Sequence, residues 1–124
     1  MQLDKKKLIE DITLMIKINI ADDFTDTPGT RYRSQSEYSG EEFREELLEP
    51  KFLEAKKNNE KLMVDFDGGY GYFNSFLEEA FGGLARIYGS DSVLETLEFE
   101  SYEEESLISR VKSYIINASE HCKK

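Results

Sequence analysis

Apolar and polar residues alternate through Ile16-Lys17-Ile18-Asn19-Ile20, the period of a strand with one buried face. The segment just before it, from Leu8 onward, suits either a strand or a short helix. A compact apolar run, KLMVDF at 61–66, predicts a central strand. A third strand is expected near 94–99, where Leu97 and Phe99 share a face. Tyr32, Ser34 and Ser36 alternate with Arg31, Arg33 and Gln35, the pattern of a short edge strand, in a loop that begins with the Pro28-Gly29 turn signal.

Helical spacing fills the gaps between these runs. Ser39 with Glu42 forms a capping-box pattern ahead of Phe43, Leu47 and Leu48. Pro50 either kinks this helix or restarts it, and Phe52, Leu53 and Ala55 carry the apolar stripe on to about residue 57. Ser75 with Glu78 repeats the pattern for a helix over 75–88, with Leu77, Ala80, Phe81, Leu84 and Tyr88 on one face and Gly89 after its end. Gly82 and Gly83 sit inside that helix, each at a cost of about 0.5–1 kcal/mol relative to alanine; close contact with a neighbouring element would explain them. Ser101 with Glu104 predicts a last helix over 102–119, with Leu107, Ile108, Val111, Tyr114, Ile115 and Ala118 on one stripe. The alternation predicts an α/β fold, a small sheet with helices packed on it in β-α-β-α-β-α order, within one domain over 1–124.

The net charge of −10 argues against direct binding to a phosphate backbone or an anionic membrane surface. Cys122 is the only cysteine, which excludes an intrachain disulfide and suits a cytoplasmic setting. No apolar run reaches membrane-spanning length, and the opening MQLDKKKLIED lacks the features of a secretory signal.

The chemistry-bearing residues gather after the central strand. Asp65 and Asp67 are two apart, the spacing that puts strand side chains on one face. They read as a strand-end and turn pair, with a carboxylate pair of a small hydrolase or metal-dependent enzyme as the alternative. Gly68, Gly69 and Gly71 suit a tightly bent connection, and they lack the spacing of a phosphate loop or dinucleotide fingerprint. Tyr70, Tyr72 and Phe73 supply aromatic surface beside them. Ser75 has two readings, a helix cap and a phosphorylation site whose added charge the helix start would attract. Arg31 and Arg33 pair with surface glutamates or bind an anion. The adjacent His121 and Cys122 supply too few ligands for zinc and read as a frayed helix end. The glutamates at 41–49 and 95–105 read as solvated faces, or else as an acidic inhibitor surface mimicking nucleic acid for a basic partner.

The segment VDFDGGYGYFNSFLEEAFGGL, residues 64–84, resembles the STAS-like domains of unknown function. The features that carry this are Asp65, Asp67 and Gly68 at the strand end, then Ser75-Phe76, then Glu79-Ala80-Phe81-Gly82. Arg31 in the first loop and Ser39-Gly40 at the first helix start add to it, and the resemblance spans most of 14–116. It is similar more widely to STAS domains, among them anti-sigma factor antagonists. The resemblance implies a protein-binding module of a partner-switching or signalling pathway, working beside an ATPase or kinase-like regulator. In the phosphorylated antagonists a serine opens the helix after the central strand, between an aspartate and a serine-glycine pair. Matching strand ends places Phe73, Asn74, Ser75 and Phe76 at those four positions, and three of them depart from the pattern. A shift of one residue puts Ser75 at the modified site. The expected function is therefore non-enzymatic protein binding, with no cofactor or metal. Arg31, Gly68, Gly69, Tyr70, Asn74, Ser75 and Phe76 form the expected binding set, and Ser75 is the candidate phosphorylation site.

Overall fold

A computed structural model describes residues 15–122. The predicted reading of residues 8–14 lies outside them. Strand β1 (Met15–Asn19) buries Ile18 and half-buries Ile16. It stops one residue earlier than the alternation suggests because Asn19 turns the chain. Its side chain accepts from the Asp22 amide at 2.8 Å and caps α1, a single turn at Ile20–Asp23. The chain then enters a long loop. Residues 32–36 form a turn and not the expected edge strand, because the Gln35 and Ser36 amides both donate to the Tyr32 carbonyl.

Ser39 begins the next helix as predicted, accepting from the Glu42 amide at 3.1 Å. Helix α2 covers 40–58 without a break: Gly40–Phe43, a π-helical turn at Arg44–Leu48, then Glu49–Asn58. The wide turn resolves the conflict at Pro50. The Glu49 amide reaches back five residues to the Arg44 carbonyl, which loosens the ladder just where proline removes a donor. Phe43, Leu48, Phe52 and Ala55 are buried, but Leu53 faces solvent instead of continuing the stripe. Asn59 ends the helix in the left-handed conformation.

Strand β2 (Lys61–Asp65) lies, among the described residues, at the centre of a three-stranded parallel sheet of order β1-β2-β3. Ile16, Leu62 and Leu97 pair across it, as do Ile18, Val64 and Phe99. These rows face the helices. The opposite rows carry Lys17, Met63 and Glu98, then Asn19, Asp65 and Glu100. The central strand thus buries Leu62 and Val64 fully on one face, and on the other only Met63, between Lys61 and Asp65, is apolar.

Helix α3 covers 74–88 and repeats the architecture of α2: Asn74–Leu77, a π-helical turn at Glu78–Gly82, then Gly83–Tyr88. A further helix, α4 (Ser90–Thr96), occupies ground expected to be strand, and β3 is confined to Leu97–Glu100. Val93 and Thr96 are buried three residues apart, the spacing of a helix face and not of a strand. Helix α5 (Ser106–Cys122) starts later than predicted. The Tyr102 and Glu103 amides that would begin it donate to the Asp67 carboxylate, while Ser101 closes a local turn through both the amide and the carbonyl of Glu104. Leu107, Val111, Ile115 and Ala118 form its buried stripe, and His121 and Cys122 are its last two residues. Among the described residues no helix is long and apolar enough to cross a membrane.

Two glycines let α2 and α3 touch. A Cβ on Gly40 would lie 2.4 Å from the Phe76 carbonyl oxygen. One on Gly83 would lie 2.7 Å from Arg44 Nη1 and 3.2 Å from its Cδ. The mid-helix glycine that looked costly is therefore the seat of a buried arginine. Gly40→Ala meets backbone and Gly83→Ala meets a side chain held in an ion pair. Urea denaturation should show both less stable, by about 1–3 kcal/mol, the ordinary penalty of overpacking, with Gly40→Ala the worse because backbone cannot swing aside.

Candidate functional site

The loops that follow the three parallel strands meet at the carboxyl end of the sheet. Asn19 ties the first to the second: its Nδ2 donates to Asp65 Oδ2 at 3.0 Å and to the Asp67 carbonyl at 3.2 Å. Asp67 ties the second to the third through the Tyr102 and Glu103 amides at 2.9 and 3.0 Å. Glu103 returns the tie by accepting from the Gly68 amide at 3.0 Å. The Tyr70 amide donates to the Asp26 carbonyl at 2.9 Å, which fixes the glycine-bearing loop against the first one. Positive φ falls at Gly68 and Gly71, whereas Gly69 has an ordinary backbone.

Asp65 and Asp67 therefore act as acceptors for loop amides, and Asp65 also lies 3.9 Å from Lys17 Nζ. Among the described residues no group of three or more His, Cys, Asp or Glu is placed to hold a metal ion.

The aromatic residues of this loop divide between core and surface. Tyr72 is anchored: its hydroxyl donates to the Phe66 carbonyl at 2.9 Å and its ring meets Phe66 edge-on at 5.6 Å. Burial, then the charges of Asp65, Asp67 and Glu103, push its phenol well above the usual range. Tyr70 and Phe73 point outward, 85% and 58% exposed. With Thr27, Pro28, Gly71 and Tyr72 they line an open cavity of about 410 Å³. A second, of about 190 Å³, lies on the other side of Tyr70–Tyr72, towards Asp67, Glu103 and Leu107.

Ser75 does not cap α3. Phe73 is the N-cap, without a side-chain bond, and Ser75 lies half-buried in the first turn. Asn74 is exposed and accepts from Arg110 Nη1 at 3.0 Å, a cation that sequence spacing does not bring to this helix start. Phe76 is fully buried, its ring packed at a tilt against those of Phe24, Phe43 and Tyr72, so it supports this face from beneath.

Arg31 sits apart from the glycine loop, in an ion network between the first loop and α3. It pairs with Glu78 and lies 3.5 Å from Glu79. Arg86 reaches Glu78 at 2.6 Å, and Arg44 reaches Glu79 at 2.9 Å. Burial raises the Glu78 carboxyl, but hydrogen bonds from Arg86 and Arg31 outweigh it and hold the group below the usual carboxylate range. Arg33 pairs with Glu45 and Glu46 on the surface. Glu79 is buried along with Arg44, a pairing that 35 residues of separation hid from sequence reasoning; the glycine at 83 was its one sequence signal.

The model of a STAS-like domain of unknown function (DUF4325) matches residues 39–107, more than half of the chain. The chain belongs to this family. The match runs from the capping serine of α2 to the first buried leucine of α5, a shorter span than 14–116, and leaves Arg31 outside it. No curated protein and no solved structure matches the chain.

Two substitutions test the network of this STAS-like domain. Glu79→Gln should cost about 3 kcal/mol, because it removes the carboxylate 2.9 Å from the buried Arg44 guanidinium and leaves that charge only the more distant Glu45 at 3.9 Å; equilibrium denaturation measures it. Glu78 is held below its unfolded pKa, so its contribution is present above the unfolded value and lost as pH falls through the folded one. Denaturation midpoints followed down from pH 6 should fall less steeply below about pH 4.5 in Glu78→Gln than in the parent.

Proposed function

We propose that this protein is a non-enzymatic regulatory module that binds another protein through the face formed by residues 68–79. The observation that carries the reading is the outward placement of Tyr70 and Phe73 around an open, largely apolar cavity beside Pro28. Exposed aromatic rings on a well-supported loop are the residue types that anchor protein interfaces. Tyr72, Phe76 and the Asp26–Tyr70 backbone bond hold the loop, so little ordering entropy opposes docking.

Sheet topology supports the same reading. Small ligands of open α/β sheets bind where strand order reverses and successive crossovers leave to opposite faces. Among the described residues the order β1-β2-β3 does not reverse. What remains at the carboxyl end is a shallow surface of three loops, suited to another macromolecule. The family resemblance suggests an ATPase or kinase-like regulator as partner, in a partner-switching or signalling pathway of the cytoplasm.

Phosphorylation of Ser75 is the proposed switch. It adds about −1.5 to −2 charges at the first turn of α3. The free amides of the helix start and the guanidinium of Arg110, held on neighbouring Asn74, favour that charge. Glu78 and Glu79, which would oppose it, are already paired with arginines.

The test is an affinity pull-down from the native organism, with intact-mass measurement of the recovered bait. The bait should carry an added phosphate in part, and Ser75→Glu should lose a partner that Ser75→Ala retains. The Tyr70→Ala/Phe73→Ala double variant, folded by circular dichroism, should lose that partner by about tenfold or more in affinity. An unmodified Ser75 with identical partners for both serine variants rejects the switch. Unchanged partner affinity in the aromatic double variant rejects the interface, and displacement by duplex DNA would point instead to an acidic nucleic-acid mimic.

A further inference from the structure

The two cavities flanking Tyr70–Tyr72 differ in chemistry. The one beside Pro28 and Phe73 is largely apolar. The one beside Asp67, Glu103 and Glu104 is acidic. Only Glu104 of these three has a cationic partner among the described residues, Arg110 at 2.6 Å. Asp67 and Glu103 spend oxygens on the neutral amides of Tyr102, Glu103 and Gly68. Such bonds orient a carboxylate but leave its charge uncompensated. Two negative charges therefore stand beside the exposed ring of Tyr70, whose face attracts a cation in its own right.

We propose that the partner presents an extended segment crossing the Tyr70–Tyr72 ridge, with an apolar side chain in the cavity beside Phe73 and an arginine or lysine between Tyr70, Asp67 and Glu103. The inference rests on the protein-binding reading and adds the chemistry of what is bound. A ridge between an apolar and an acidic hollow selects a ligand in which the two side-chain types are adjacent. An extended chain supplies that directly, because neighbouring side chains leave it on opposite sides. Arginine suits the site better than lysine, since its planar group stacks on an aromatic ring while its edge donates to carboxylates. The overall charge of −10 draws a basic segment inward from a distance and sets its approach.

Random dodecapeptides displayed on phage, selected on the full chain and counter-selected on Tyr70→Ala, test this. Tyr70 is 85% exposed and its side chain makes no hydrogen bond among the described residues, so the variant should keep its fold, which circular dichroism checks. Recovered peptides should be enriched in arginine or lysine next to leucine, isoleucine, proline or an aromatic residue. The best of them, synthesised with a fluorophore, should lose about tenfold or more in affinity to Tyr70→Ala by anisotropy. Glu103→Gln is the sharper variant, because it keeps the oxygen that accepts from Gly68 and removes only the charge. It should weaken binding about 5- to 10-fold at low salt, and the difference should shrink by about 0.5 M salt. No enrichment over the counter-selection overturns the inference, as does an enriched motif without basic residues. A chain that dimerises through Tyr70 in sedimentation overturns it too. A partner protein lost with Tyr70→Ala/Phe73→Ala but indifferent to Glu103→Gln and to salt would leave the protein-binding reading standing and remove this one alone.

Discussion

The ion pair between Arg44 and Glu79 is the contact around which the two long helices are arranged. Both side chains are about 10% exposed and meet at 2.9 Å. Taking two charges out of water costs several kcal/mol for each, and the pair recovers this only with good geometry. Each residue lies in a π-helical turn, and those two turns face each other. The wider turn on α2 also absorbs Pro50, and the one on α3 is followed at once by Gly83, whose missing side chain leaves room for the Arg44 guanidinium.

From that crossing the rest of the architecture follows. Gly40 brings α2 against the backbone of α3 at Phe76, and the rings of Phe24, Phe43, Phe76 and Phe81 fill the space this creates. The position of α3 sets where its first turn emerges from the sheet. That in turn sets Phe73 and Asn74 at the carboxyl end of the strands. Arg31, bound to Glu78, pins the long first loop to the same helix, so the Pro28 side of the candidate face is held by the network that holds the core.

The exposed face is built on a different kind of bond. Asp67 and Glu103 stitch the second and third loops together by accepting backbone amides across them. Carboxylates used in this way shape loops without neutralising themselves. The surface is therefore ordered and negatively charged at once, with Tyr70 and Phe73 standing on it. Order lowers the entropy cost of docking, and charge selects what docks.

Much of this was written in local pattern. Alternation at 16–20, the apolar run at 61–66, the Ser39–Glu42 cap and the stripe of α5 depend on period and on near neighbours along the chain, and these elements formed nearly where expected. The family, too, was legible in 64–84, because a strand end, a glycine turn and a helix start sit within one short segment. Whatever depended on distant partners was not legible. Ser75 looked like a cap until the fold made Phe73 the N-cap. Leu53 looked buried until α2 packed through Phe52 and Ala55 and left it facing solvent. Residues 94–96 took helical form within α4, where Val93 and Thr96 are buried. The start of α5 moved because Asp67 claimed the amides of 102 and 103 across 35 and 36 residues of chain. Period and propensity are properties of a segment, whereas a buried ion pair, a borrowed amide or a close helix crossing exists only once two segments have been brought together.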